Sequence, residues 1–248
     1  MDLQIIGHGS VLELRIDRPE KKNAITGTMY IAMTEAMARP GHRVVLFSAT
    51  GDVFTAGNDI KDFLAIKDLV DAPAARFIRA LAQSDRPMVA AVSGPAIGIG
   101  GTLLLHCDLV YAAPTATIAM PFVDLGLVPE AGSSLLLPAR IGFARATAML
   151  LLGEVMNATE ALAAGLLNAI VPASELGTHA LAAAQRLAQK PPAAMMASRA
   201  LLRRGRDALL AQMDAEQAAF TVALGGPEAK EAFTAFLERR EPQSMPVH

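Results

Sequence analysis

The chain has no tryptophan, two tyrosines and one cysteine in its 248 residues. Few aromatics leave little to stack on nucleic-acid bases, and a net charge of −2 lacks the basic footprint that a phosphate backbone attracts. No nucleic-acid partner is therefore expected. The lone Cys107 excludes an intrachain disulfide, which suits a reducing compartment. Apolar runs such as Met88 to Val92 fall far short of the ~20 residues that span a bilayer, so no membrane partner is expected. The opening MDLQIIGHGSVLEL has no basic stretch followed by an apolar one, and the ending PVH is not a peroxisomal-type tripeptide. A cytoplasmic location is the expectation. No His/Cys/Asp cluster has zinc spacing, so no metal is expected.

What is present is apolar: 52% of the residues are hydrophobic, enough for one large core. The fold class reads as α/β. Residues 3–6 and 11–16 look like strands around the turn His8-Gly9-Ser10, with Leu12, Leu14 and Ile16 alternating against Glu13, Arg15 and Asp17. The runs 44–48 and 88–92 suit strands buried on both faces, and 109–112 and 117–119 continue the set. Helical patterns lie near 27–38, 73–83 and 100–106. From Ala144 onward helix formers dominate, with a helix start at 157–160, a stop at Gly165, a short strand at 166–171 and helices near 175–189, 193–204, 206–224 and 228–238. Met29, Met33 and Met37 form a stripe at helical spacing, read as core or pocket lining. Arg199, Arg203, Arg204 and Arg206 read as a solvated basic face. His106 and Cys107 read as a satisfied core pair.

Three segments carry chemistry. Gly51 to Ile60 follows an apolar strand, and the small Ala56-Gly57 pair allows close approach of a ligand to the backbone, with the Ala56 N–H free to donate. Asn58 and Asp59 suit the cap of a following helix. Taken alone, this loop reads first as a plain strand-to-helix turn. Ser93 to Thr102 repeats the plan: a strand, a glycine-rich loop and a helix N-terminus, whose unpaired N–H groups suit a developing anion or merely a tight turn. The third segment, MPFVDLGLVPEAGSSLLLPARI (120–141), sets Glu130 after a proline among apolar residues, where desolvation raises a carboxyl pKa toward working pH. A first-turn acid facing a helix dipole is the plainer reading of Glu130 alone. Together, two backbone donors gripping a carbonyl oxygen and one nearby carboxylate describe enolate chemistry. Ser133 and Ser134 lack the frame of a hydrolase elbow.

In order along the chain, RPEKKNAI (18–25), FTAGNDI (54–60), GPAIGIGG (94–101), CDLVYA (107–112), LGLVPE (125–130) and AFTAFLERR (232–240) resemble the crotonase, or enoyl-CoA hydratase/isomerase, superfamily. Each motif is weak alone; the ordered set is specific. The resemblance implies a crotonase-like spiral of ββα units over 1–190 and, within the same structural domain, a C-terminal helical oligomerisation region at 191–248. It implies a homotrimer or hexamer. Its implied ligand is an acyl-CoA thioester, with CoA part of the substrate rather than a cofactor. It assigns the oxyanion hole to the N–H groups of Ala56 and Ile99, and contacts to the substrate to Lys22, Ala24, Ala56, Asp59, Ile60 and Gly100.

Hydratases of this superfamily use two glutamates, at positions that align here with Thr102 and Phe122. Neither carries protons at neutral pH, so hydration loses its machinery and Glu130 is left as the expected sole proton carrier. Its setting, PEAGSS after Val128, is most like that of Δ3,Δ2-enoyl-CoA isomerases of the peroxisomal type. The expected reaction moves a double bond from 3-enoyl-CoA to 2-enoyl-CoA. The alternatives are a hydratase, or other crotonase-type lyase or hydrolase, using Glu130 or Asp124 with water, and a non-catalytic acyl-CoA-binding scaffold.

Overall fold

A computed structural model describes residues 2–61, 71–238 and 240–241. Its main sheet has six strands in the order β1 (Leu3–His8), β2 (Val11–Ile16), β3 (Val44–Ala49), β4 (Met88–Val92), β6 (Leu109–Ala112) and β9 (Ala169–Ile170). The first pair is an antiparallel hairpin; the other neighbours run parallel. A small second sheet joins β5 (Ala96–Ile97), β7 (Thr117–Ala119) and β8 (Met156–Asn157). The helices are α1 (Gly27–Ala38), α2 (Pro73–Gln83), α3 (Ile99–His106), α4 (Ser133–Ile141), α5 (Phe143–Leu151), α6 (Ala158–Ala163), α7 (Ala173–Ala188), α8 (Pro192–Leu202), α9 (Arg206–Gly225) and α10 (Pro227–Glu238).

The main sheet is covered on both faces, which explains its apolar strands. Leu14, Phe47, Ala90 and Val110 point into the large core shared with α1, α2 and α3, while Val44, Leu46, Val89 and Ala91 pack on Leu176, Ala180 and Ala184 of α7. One expectation changes here. Glu13 belongs to the supposed polar face of β2, yet it is buried, because that face too is covered. Burial by itself pushes its carboxyl pKa up; hydrogen bonds from Ser48, His8 and Arg15 outweigh that and hold it below the usual value. The methionine stripe of α1 lies wholly in the core.

The basic face also needs correction. Arg199 and Arg203 turn inward and share Asp108, at 2.9 and 3.1 Å. Asp108 in turn accepts the Met88 N–H at 2.8 Å, so this cluster ties α8 to the first residue of β4. The strand expected over 166–171 shrinks to Ala169–Ile170, because the N–H groups of Leu166 and Leu167 instead close the end of α6 on the Ala161 carbonyl. Asn157 and Glu160 form a reciprocal capping box at the start of α6, as their spacing predicts. Helices α4 and α5 were not foreseen. Their sequence is interrupted by Pro138 and Gly142, but Pro138 sits in the second turn of a short helix and Gly142 takes the positive φ of 84° that joins the two.

The two glycine-rich loops are locked to each other. The N–H groups of Phe54 and Thr55 donate to the Pro95 carbonyl at 3.0 and 3.1 Å, and the Ile97 N–H returns to Thr55 O at 3.0 Å. Gly94 lies so close beneath that a Cβ there would run into the Asp52 carbonyl. Gly94→Ala is expected to destabilise the fold by about 3 kcal/mol or more in urea denaturation, since backbone must move to admit one methyl. Gly7→Ala, with open space at its Cβ, should stay within ~0.5 kcal/mol of the parent. Equal midpoints for the two variants would contradict this packing.

Candidate active site

The two loops, the Glu130 segment and the C-terminal helices enclose a cavity of about 410 Å³. Ala56, Ile60, Ile99 and Glu130 line it. Of the other residues assigned to the substrate, Lys22 is exposed, Ala24 half-buried, and neither lines the cavity. Asp59 is also outside the lining: its carboxylate meets the Arg18 guanidinium at 2.8 Å and accepts the Lys61 N–H at 3.1 Å, the cap expected of it. Gly100 is buried behind the wall, where a Cβ would sit 2.5 Å from Thr55 Cγ2. It packs α3 on the first loop and is not on the cavity lining.

The backbone donors differ from expectation at one point. Ile99 is the first residue of α3, and among the described residues no group accepts from its N–H. Ala56 was read as a free donor, but its N–H donates to Lys22 O at 3.0 Å. This bond arises because Lys22 and Asn23 both adopt positive φ, 51° and 56°. The Asn23 side chain holds them there, accepting from the Arg18 N–H and donating to Thr50 O and Val53 O. Asn58, also on the lining, is oriented by the Tyr30 hydroxyl, which donates to its Oδ1 at 2.6 Å.

Glu130 is half-buried on the cavity lining, and among the described residues no cation pairs with it. Desolvation raises its carboxyl pKa to about 7, further helped by the charge of Glu216; a hydrogen bond from Thr102 opposes the rise. That bond, Thr102 Oγ1 to Glu130 Oε1, is 2.6 Å long. Thr102 thus stands where the resemblance places a hydratase glutamate, and acts as a donor to the carboxyl that remains. The next residue, Ala131, holds a positive φ of 61°, strained for a side-chain residue, and its carbonyl accepts from His106 Nε2 at 2.8 Å. His106 is buried, and desolvation brings its pKa down to about 4, so the ring is neutral with its proton on the nitrogen facing Ala131. Its partner in the expected core pair, Cys107, is held at the Leu103 carbonyl.

Glu130 is not the sole acid of the cavity. Asp124 and Glu216 also line it. Asp124 is exposed on the short turn Val123–Leu125. Glu216, on α9, was missed, although the pattern Leu209, Met213, Glu216, Phe220, Leu224 sets one carboxylate on an apolar helix stripe. Met213, Phe220, Phe233 and Phe236 complete this wall, so the region read as serving oligomerisation also closes the cavity. Among the described residues no group of three or more His, Cys, Asp or Glu is placed to hold a metal ion, and no helix is long and apolar enough to cross a membrane.

Two measurements check the electrostatics without any assay of activity. Thr102→Val removes the donor to the ionised form, so a ¹³C titration of the Glu130 carboxyl should move above about 7. A value unmoved or lowered would show that the 2.6 Å bond does not act on Glu130. Because the folded-state pKa lies above the ordinary value of 4.5, the folded protein keeps an extra proton between the two. The associated stability is present below about pH 4.5 and is lost as pH rises through about 7. Glu130→Gln should therefore raise Tm by several degrees near pH 8 and leave it almost unchanged near pH 4. The opposite pH dependence would contradict a desolvated carboxylate.

The family model described as enoyl-CoA hydratase/isomerase matches residues 7–245. The chain is 33% identical over 223 residues to the enoyl-CoA delta isomerase 2 of Rattus norvegicus; the match covers 86% of this chain and 57% of that protein, little more than half its length. It is 33% identical over 236 residues to a probable enoyl-CoA hydratase of Rhodobacter capsulatus, covering 92% of each. The solved structure of an enoyl-CoA hydratase/isomerase from Pseudoalteromonas atlantica superposes with a TM-score of 0.93 at 39% identity, over 99% of this chain and 100% of that one. With a match along nearly its whole length and two glycine loops locked around a cavity in the same fold, this chain belongs to the enoyl-CoA hydratase/isomerase, or crotonase, family.

Proposed function

We propose that the protein is an enoyl-CoA isomerase that converts a 3-enoyl-CoA to the conjugated 2-enoyl-CoA. The observation that carries this reading is the pairing, on the same cavity wall, of one desolvated carboxyl with its pKa near 7 and one helix N-terminal N–H that has no acceptor among the described residues, while Thr102 and Phe122 stand where the family resemblance places the hydratase acids. A carboxyl poised near neutrality serves equally as base and as conjugate acid. Ionised Glu130 takes a proton from C2. The C2–H bond pair moves into conjugation and charge collects on the thioester oxygen. The Ile99 N–H, at the positive end of α3, donates to that oxygen; the Ala56 N–H joins by sharing the bond it now gives Lys22 O. Protonated Glu130 then delivers its proton to C4, and the double bond closes between C2 and C3. No water enters the balance.

The mainly apolar walls suit this sequence, because a dry site strengthens the hydrogen bonds to the oxyanion. The CoA portion would leave the cavity toward the loop of Lys22, Ala24 and Asp59, consistent with their position outside the acyl wall. Exposed apolar side chains at Phe143, Leu151, Leu152 and Val155 give copies a surface on which to associate, and a trimer or hexamer is the proposed assembly. A second reading, hydration, is favoured by one observation: Asp124 gives the cavity another acid within a water-accessible turn.

Incubation with 3-hexenoyl-CoA and 2-hexenoyl-CoA separately tests the choice. Conjugation of the first, seen as rising ultraviolet absorbance, without hydration of the second supports the isomerase; brisk hydration of the second rejects it. For the parent protein, kcat/KM should rise with pH through about 7 as Glu130 ionises. Glu130→Gln should lower kcat by at least ~100-fold with CoA affinity retained. Unchanged turnover in that variant would remove Glu130 from the mechanism.

A further inference from the structure

The turn that carries Glu130 is built around a charge supplied from 82–84 positions further along the chain. Ala131 and Gly132 both have positive φ, 61° and 72°, and the N–H groups of Gly132 and Ser134 converge on one side chain at the start of α4, while the Ser133 N–H closes the turn on the Glu130 carbonyl. Such a concavity favours an anion. Here the anion is the Glu216 side chain of α9. One oxygen accepts the Gly132 N–H at 2.6 Å; the other accepts the Ser134 N–H at 2.9 Å and the Ser134 hydroxyl at 2.5 Å. Gln212, one turn earlier on α9, donates to the same hydroxyl at 2.9 Å. Glu216 is buried and lines the cavity beside Glu130.

This geometry does two separable things. It fixes the backbone on the far side of Ala131, while His106 fixes the Ala131 carbonyl, so the reacting carboxyl has little freedom to turn away. It also sets a negative charge near Glu130 from a different element. The groups facing Glu130 from the packed elements are the Thr102 hydroxyl of α3, the Tyr30 phenol of α1 and the Glu216 carboxylate of α9. The further charged groups on the cavity wall are Asp124 and Arg79, and Arg79 is ion-paired with Asp214. No cation therefore offsets Glu216 at Glu130 among these groups.

We propose that Glu216 is the positioning residue of the active site: from α9 it holds the 130–134 turn in place and keeps a like charge against the proton carrier. The role of the charge rests on the reading of Glu130 as that carrier. Its consequence is that α9 and the catalytic turn form one unit, so that a displacement of the C-terminal helices alters both the aim and the proton affinity of Glu130.

Glu216→Gln tests it on the full-length protein. The uncharged side chain retains similar volume, but its amide nitrogen must face a donor of the turn. On the 3-hexenoyl-CoA reaction, plateau kcat should fall on the order of tenfold to a hundredfold while KM moves little, as expected for a misaimed reacting group. The acid limb of the pH profile should move to lower pH, because the like charge is gone. The ¹³C titration of Glu130, its signal assigned by its loss in Glu130→Gln, should move the same way. Glu216→Asp, which restores the charge on a shorter arm, should return the limb toward its parent position. A lowered Tm and kcat with the Glu130 titration still at about 7 would make Glu216 a structural cap only and overturn the proposal. If Glu216→Gln does not fold, Ser134→Ala removes one donor and leaves the charge; it should lower kcat several-fold at constant KM, and an unchanged kcat counts against the proposal. If Glu130→Gln keeps full turnover, the proton-carrier reading fails, and the ¹³C titration in Glu216→Gln still decides whether Glu216 acts on Glu130.

Discussion

The site depends on keeping one half-buried carboxyl group, Glu130, desolvated and, among the described residues, without a counter-ion. Desolvation would protonate Glu130 permanently if nothing opposed it, and a paired cation would hold it permanently ionised. The fold takes neither course. A single neutral donor, Thr102, bonds the ionised form, and a second carboxylate, Glu216, counters it from the other side. The balance places the carboxyl pKa near 7, the range the proposed proton transfer requires. Three helices meet at that balance: α3 supplies Thr102 and His106, α9 supplies Glu216, and apolar residues of α9 and α10 line the cavity.

The backbone around the cavity is strained in ways consistent with this task. Lys22, Asn23 and Ala131 all take positive φ without being glycine. Each is held by specific bonds: Lys22 by its N–H to Pro19 O and its carbonyl to the Ala56 N–H, Asn23 by three side-chain hydrogen bonds, Ala131 by the neutral His106. Such conformations persist only where the surroundings over-determine them. The main sheet provides the rigidity, since its inner strands are buried on both faces and carry the two glycine loops at their C-terminal ends.

Much of this was legible in the sequence. Buried parallel strands announce themselves as continuous apolar runs, and β3 and β4 did so. The capping box at Asn157 and Glu160 is a local device and was readable as one. Family resemblance converged on Glu130, Ala56 and Ile99, which all face one cavity. The errors have a common source. Arg199 and Arg203 were assigned to solvent and Glu13 to a polar strand face because they are charged, yet each is satisfied by a partner distant in sequence. The Ala56 N–H was taken as free because its acceptor, Lys22 O, lies across a strained loop that no periodicity reports.

The sequence by itself determined the longer strands and most of the helices, the two glycine loops, and the presence of a carboxyl among apolar residues, because these follow from local propensity and short-range pattern. Only the tertiary structure decided that Thr102 bonds that carboxyl, that Glu216 holds its turn from far along the chain, and that the C-terminal helices wall the cavity. A carboxyl's proton affinity is set by its dielectric surroundings and by charges within a few ångströms. Which residues come that close is a property of the packed chain and not of any one segment of it.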